Sequence, residues 1–91
     1  MTAIATFYKD PDAVLDYTID WETWLGSDTI STSTWTVPSG ITKNTDTNTT
    51  TTTTIWLSGG TAGISYDLLD RIVTAAGRTE DRTIAIIVRE K

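Results

Sequence analysis

The stretch GISYDLLDRIVTAAG, residues 63–77, reads as the central strand of a small β-sandwich. Ile64, Tyr66, Leu68, Asp70, Ile72 and Thr74 fall on one side of an extended chain, and Ser65, Asp67, Leu69, Arg71 and Val73 on the other, because successive side chains of a strand point to opposite faces. The first set carries the core. Its one defect is Asp70, for which a bulge or an exposed end would remove the conflict. Leu69 and Val73 then look outward.

Just upstream, Gly59, Gly60 and Gly63 supply a sharp corner, since glycine takes positive φ without steric cost. A tyrosine that follows such a corner and opens an inward-facing strand matches the tyrosine corner of immunoglobulin-like sandwiches, whose hydroxyl bonds back to upstream backbone. Tyr66 is therefore read as that residue, against the plainer alternative of a core tyrosine with a wet hydroxyl.

The chain before this strand supplies its partners. Residues 2–8 are mildly apolar and suit an edge strand or an arm, with 1–12 as its outer bounds, and Pro11 fixes a turn. Leu15, Tyr17, Ile19 and Trp21 alternate with Asp16, Thr18, Asp20 and Glu22, the pattern of a half-buried strand. Trp24 and Leu25 lead into a turn at residues 26–28. Residues 29–37 form the next strand, which places Trp35 at the centre of the core and ends at Pro38. Residues 43–48 are polar and turn-rich, and read as a mobile loop.

In the following strand, residues 49–57, Ile55 and Leu57 point inward and Trp56 outward. The last strand, residues 78–89, is apolar on both sides, which suits a covered position. No helix-period stretch appears. The expectation is all-β: one immunoglobulin-like antiparallel sandwich of about seven strands spanning residues 1–91, with Tyr17, Trp21, Trp35 and Tyr66 in its core.

Composition narrows the function. Among 91 residues there is no cysteine and no histidine, which excludes disulfides, thiolate nucleophiles, imidazole acid-base chemistry and the usual zinc ligand sets. Four tryptophans, three tyrosines and one phenylalanine are left to stabilise the fold by packing. The net charge of −5, with no clustered basic residues, argues against nucleic acid. No apolar run approaches the roughly 20 residues of a membrane span, and the first ten residues lack a signal-peptide pattern, so a chain made and kept in a cytosol-like compartment is expected.

The conspicuous motifs have plain readings. A six-threonine run, residues 49–54, could suggest an ice-binding ladder, but a ladder needs threonines repeated in register over several strands, and the chain has no internal repeat. Asp10, Asp12 and Asp16, or Asp46 beside Asn44 and Asn48, could suggest calcium, yet their spacing does not fit an EF-hand loop. No pair of carboxylates stands out for glycoside hydrolysis. No catalytic, cofactor-binding or metal-binding residue is assigned. Trp56 is different: an outward indole needs a partner, which could be another protein, a sugar ring or a lid made by residues 43–48. Trp24 raises the same question, and Thr51 and Thr53 lie on a polar strand suited to a sheet edge, so Trp24, Thr51, Thr53 and Trp56 form the candidate interface.

Taken together, the segments DTISTSTWTVPSGI (residues 28–41), WLSGGTAG (56–63) and TAAGRTEDRT (74–83) resemble a family of small tailed-bacteriophage proteins described as fiber-tail adaptors. The resemblance implies an immunoglobulin-like connector in the virion tail or neck, not an enzyme, that contacts other tail, neck or fibre proteins and is compatible with a homo-oligomer in the particle. It implies no membrane or nucleic-acid partner and carries over no catalytic residue. The alternative is a virion-associated carbohydrate-binding module that contacts the host surface through exposed tryptophans.

Overall fold

In the computed structural model residues 4–90 are described. Seven strands, β1 (Ala5–Lys9), β2 (Leu15–Asp20), β3 (Ile30–Thr36), β4 (Ile41–Asn48), β5 (Thr52–Gly59), β6 (Ser65–Thr74) and β7 (Thr79–Val88), form two sheets. One sheet has the order β1-β7-β6-β3 and the other β2-β5-β4. All pairings are antiparallel except that of β1 with β7. The sandwich core lies between Ile19, Trp21, Ile55 and Leu57 on one side and Leu68, Ile72, Ile84, Ile86 and Val88 on the other, all buried. Each of these positions comes from a period-2 pattern, so hydrophobic burial fixes the register: a slip of one residue would turn every one of them to solvent.

The strand at residues 63–77 is an inner strand, paired with β3 and β7. Tyr66, Leu68, Ile72 and Thr74 face the core. Ile64, expected there too, lies before the strand and is exposed. Asp70 also departs from expectation: β6 runs through it without a bulge, and the register shift falls in β3 between Ile30 and Thr32. The carboxyl is fully buried and accepts a hydrogen bond from the Ser33 hydroxyl at 2.6 Å. Burial raises its pKa, and the Ser33 bond offsets only part of the lost hydration, because Oδ2 is buried without a partner among the described residues.

Tyr66 makes the corner bond. The Thr61 N–H donates to its phenolic oxygen at 3.0 Å. Gly40 and Gly60 flank this ring with φ of 101° and 94°. A Cβ at Gly40 would lie 3.0 Å from Tyr66 Cε1, and one at Gly60 would lie 2.7 Å from Val88 Cγ2, so both positions need glycine for backbone and for space.

Four further expectations change. Residues 43–48 belong to β4, an edge strand in which Ile41 alone reaches the core and the remaining residues are mostly wet; a polar strand of this kind looks like a loop by composition. A one-turn helix, α1 (Glu22–Leu25), follows β2, its first N–H held by Asp20 Oδ1 at 3.0 Å. Leu15, at the start of β2, is exposed rather than inward. Trp35 is buried but sits on an edge strand; the fully buried indole is Trp21. Residues 5–9, within the stretch expected as an edge strand or an arm, form the edge strand β1, and residues 1–3 lie outside the described residues.

Candidate functional site

The two ends of the sandwich are closed by the chain's own cations. At one end Lys9 turns inward from β1 and donates to the carbonyls of Gly59 at 2.8 Å and Asp10 at 2.9 Å. Burial pulls its amine below the ordinary lysine value, against the opposing fields of Asp10 and Asp12. At the other end Asp28 Oδ1 accepts from the N–H groups of Thr29 and Ala76, while Oδ2 accepts from Arg78 Nε at 3.1 Å. The Thr74 hydroxyl first, then these partners, hold the Asp28 carboxyl down to about 2. This anchor ties the loop before β3 to the β6–β7 turn.

Trp24 belongs to that closure. Its ring meets Trp21 edge-on at 5.8 Å, and the Arg78 guanidinium lies 4.2 Å above it. Trp24 is thus half-buried under its own chain, and its surface is largely committed to Trp21 and Arg78. Arg82 covers Trp21 in the same way at 4.3 Å.

The threonine candidates are corrected by topology. β5 is the central strand of its sheet, between β2 and β4, so residues 52–54 offer no free edge. Thr53 is fully buried and accepts a hydrogen bond from Trp21 Nε1 at 3.0 Å. Thr51 lies in the β4–β5 turn, where its carbonyl accepts from the Trp21 N–H at 2.9 Å. Alternation identified the strand correctly, but threonine's polarity pointed to an edge that sheet order does not provide.

Trp56 does face outward and is 38 % exposed. No lid covers it, because residues 43–48 lie in the plane of the sheet: Thr45 of β4 stands opposite on one side and Asp16 of β2 on the other. Tyr17, Trp21, Trp35 and Tyr66 lie in the core cluster.

The free edges are β1 and β3 in one sheet and β2 and β4 in the other. Three carry features that oppose further pairing. β4 has a register shift between Lys43 and Thr45 and a Lys43–Asp46 ion pair at 2.8 Å; β2 carries Asp16 and Asp20; β1 has only five residues and ends at the buried Lys9. β3 is seven residues long, ISTSTWT, with no charge and no proline; its register shift between Ile30 and Thr32 and the Ile30 N–H bond to the Thr50 carbonyl at 2.9 Å confine its open edge to Thr32–Thr36. The sequence held part of this signal, since only β3 and β5 are free of charge, but not the sheet order that puts β5 in the centre and β3 at an edge.

Among the described residues no pocket opens, and no group of three or more acidic residues gathers as a metal site would need. No helix among the described residues is long and apolar enough to cross a membrane. The surfaces that remain for recognition are shallow: a strand edge and a sheet face.

Known structures agree with the architecture. The PKD domain from KIAA 1837 protein superposes with a TM-score of 0.59 over 99 % of this chain and 83 % of that one, at 16 % identity, a likeness of fold. No curated protein is significantly similar in sequence. The family model described as podophage GP4 fiber-tail adaptor protein gp77 matches residues 9–87, which takes in all of β2 to β6, β7 but for its last residue, and the end of β1. The chain belongs to this family of phage fiber-tail adaptors.

Proposed function

We propose that the chain works without catalysis in the phage tail, as one immunoglobulin-like unit that holds neighbouring tail and fibre proteins by strand addition at the free edge of β3. Membership of an adaptor family supplies the role. The observation that carries the mechanism is the uncharged, proline-free edge of β3, whose pairing with β6 is regular from Thr32 to Thr36. An edge strand presents unpaired N–H and C=O groups, and an added strand takes affinity from main-chain hydrogen bonds without needing a cleft, a metal or a basic patch. The serine and threonine side chains along β3 accept a range of neighbours across the new pair.

Lysines on the edge test this directly, since natural sheets use lysine to block edge pairing. Thr32→Lys with Thr36→Lys puts two charges on exposed positions opposite Val73 and Leu69, on either side of Arg71, whose own charge is paired with Asp81 at 2.7 Å. The expected result is loss of incorporation into particles with unchanged melting of the isolated chain. Thr42→Lys on the β4 edge should be incorporated normally. Normal incorporation of the β3 double variant overturns the mechanism.

A further inference from the structure

We propose that the outer face of the β2-β5-β4 sheet is a shallow site for a neutral pyranose residue of a saccharide, stacked on Trp56. The indole stands on the central strand, 38 % exposed. Its neighbours across the strands are Asp16 and Thr45. Along β5 it lies between Thr54 and Ser58, two residues away on either side and therefore on the same face. Thr54 Oγ1 is paired with Thr18 Oγ1 at 2.9 Å, and the Ser58 hydroxyl donates to Asn44 Oδ1 at 2.7 Å. The ring is thus an apolar platform framed by a carboxylate, hydroxyls and an amide.

That frame fits a sugar better than a protein. The core of a protein interface gathers several apolar side chains and is depleted in charged residues, whereas the positions opposite Trp56 and two residues along β5 are polar, and Val14, 52 % exposed before β2, is the single apolar side chain flanking them. A pyranose presents the matching pattern, with C–H groups on one face for the indole and hydroxyls around its rim. Adjacent strands lie about 4.8 Å apart, so Asp16 and Thr45 stand where hydroxyls at opposite edges of one ring stacked on Trp56 would point. A carboxylate can accept two hydroxyl donors at once.

Charge selects among saccharides. Asp16 adjoins the platform, the chain carries −5 overall, and the one basic residue in the strands of this sheet, Lys43, stands opposite the inward Leu57 and is paired with Asp46 at 2.8 Å. Sialylated, uronic and phosphate-bearing glycans meet repulsion here, and neutral ones do not.

The four indole N–H groups give separate reporters in a nitrogen-15 NMR spectrum of the full chain. Titration with cellotriose, maltotriose, galactobiose and chitotriose should move the Trp56 resonance and leave those of Trp21, Trp24 and Trp35 in place, with a Kd of about 1 mM for the best probe, as expected for a shallow site. Trp56→Ala should weaken that probe, measured by calorimetry, at least about tenfold, and Asp16→Asn should weaken it less. Sialyllactose should leave the Trp56 resonance unmoved. No response at Trp56 to any neutral probe overturns the proposal, as does undiminished binding by Trp56→Ala or capture of a virion protein that depends on Trp56. Because the β3 edge lies in the other sheet, the lysine variants there leave this readout intact and separate the two readings.

Discussion

Thr61 donates its backbone N–H to the phenolic oxygen of Tyr66 at 3.0 Å, five residues downstream, and this bond fixes the corner by which the chain passes from one sheet to the other. The connection between β5 and β6 carries three glycines with positive φ, Gly59, Gly60 and Gly63, so it has many unfolded conformations to lose. A side-chain bond to its middle selects one of them. Tyr66→Phe keeps the ring against Gly40 and removes the bond. The expected loss is about 1 kcal/mol, read from the midpoint of urea unfolding at unchanged slope; a neutral result would reduce Tyr66 to a packing residue.

Asp70 should make stability fall as pH rises. Burial raises its pKa above 3.8; the Ser33, Thr53 and Trp21 side chains oppose the shift, and Asp46 reinforces it. Arg82, its partner across β7, lies over Trp21. The folded chain therefore holds the Asp70 proton more tightly than the unfolded chain. The contribution of this group is full below the unfolded value and is lost as pH rises through the raised folded value. Asp70→Asn keeps an acceptor for the Ser33 hydroxyl and cannot ionise. Its stability relative to the parent, measured by unfolding across pH, should rise from acid toward neutral; a difference independent of pH would contradict the assignment.

Asp28 works in the opposite direction. The Thr74 hydroxyl, the Thr29 and Ala76 N–H groups and Arg78 favour its charged form and lower its pKa from 3.8 to about 2. The stability it supplies is present above the unfolded value and disappears as pH falls toward about 2. Asp28→Asn should melt lower than the parent at neutral pH, and the two should converge in acid. Equal melting at neutral pH would show that the loop before β3 and the β6–β7 turn do not depend on this anchor.

How far the sequence reveals the fold depends on which residues face the core. The alternation in β2, β5, β6 and β7 is legible because each buries at least two apolar side chains on one face. β4 buries only Ile41, so its period is carried by threonine, asparagine and aspartate and is hidden from a hydrophobic reading. Sheet order is hidden for another reason: whether residues 52–54 are central or at an edge depends on β2 and β4 both choosing β5, a non-local pairing with no local signature. The outward direction of Trp56 follows from the phase of Ile55 and Leu57, whereas Asp16 and Thr45 become its neighbours only through that pairing. Asp70 is the informative misfit, since a charged residue in a core phase suggests a break in the strand and the fold instead supplies Ser33 and Thr53 from two other strands.

The four tryptophans should separate by depth and by the fate of their N–H groups. Trp21 is fully buried and Trp56 is not, so Trp21→Ala should cost about 3–5 kcal/mol through lost transfer energy and a cavity, and Trp56→Ala about 1 kcal/mol or less. A finer contrast sets Trp21 against Trp35. The indole N–H of Trp21 donates to the buried Thr53 hydroxyl at 3.0 Å, whereas that of Trp35 is buried without a partner among the described residues. Replacing Trp21 by phenylalanine loses a hydrogen bond and leaves the Thr53 oxygen without that donor. The same change at Trp35 removes a polar group that burial penalises. Both substitutions leave a similar volume deficit, so the difference between them isolates the hydrogen bond: Trp21→Phe should be the more destabilising by about 1–2 kcal/mol. Equal losses in chemical denaturation would show that the Trp21–Thr53 bond adds nothing to the stability that packing of the ring supplies.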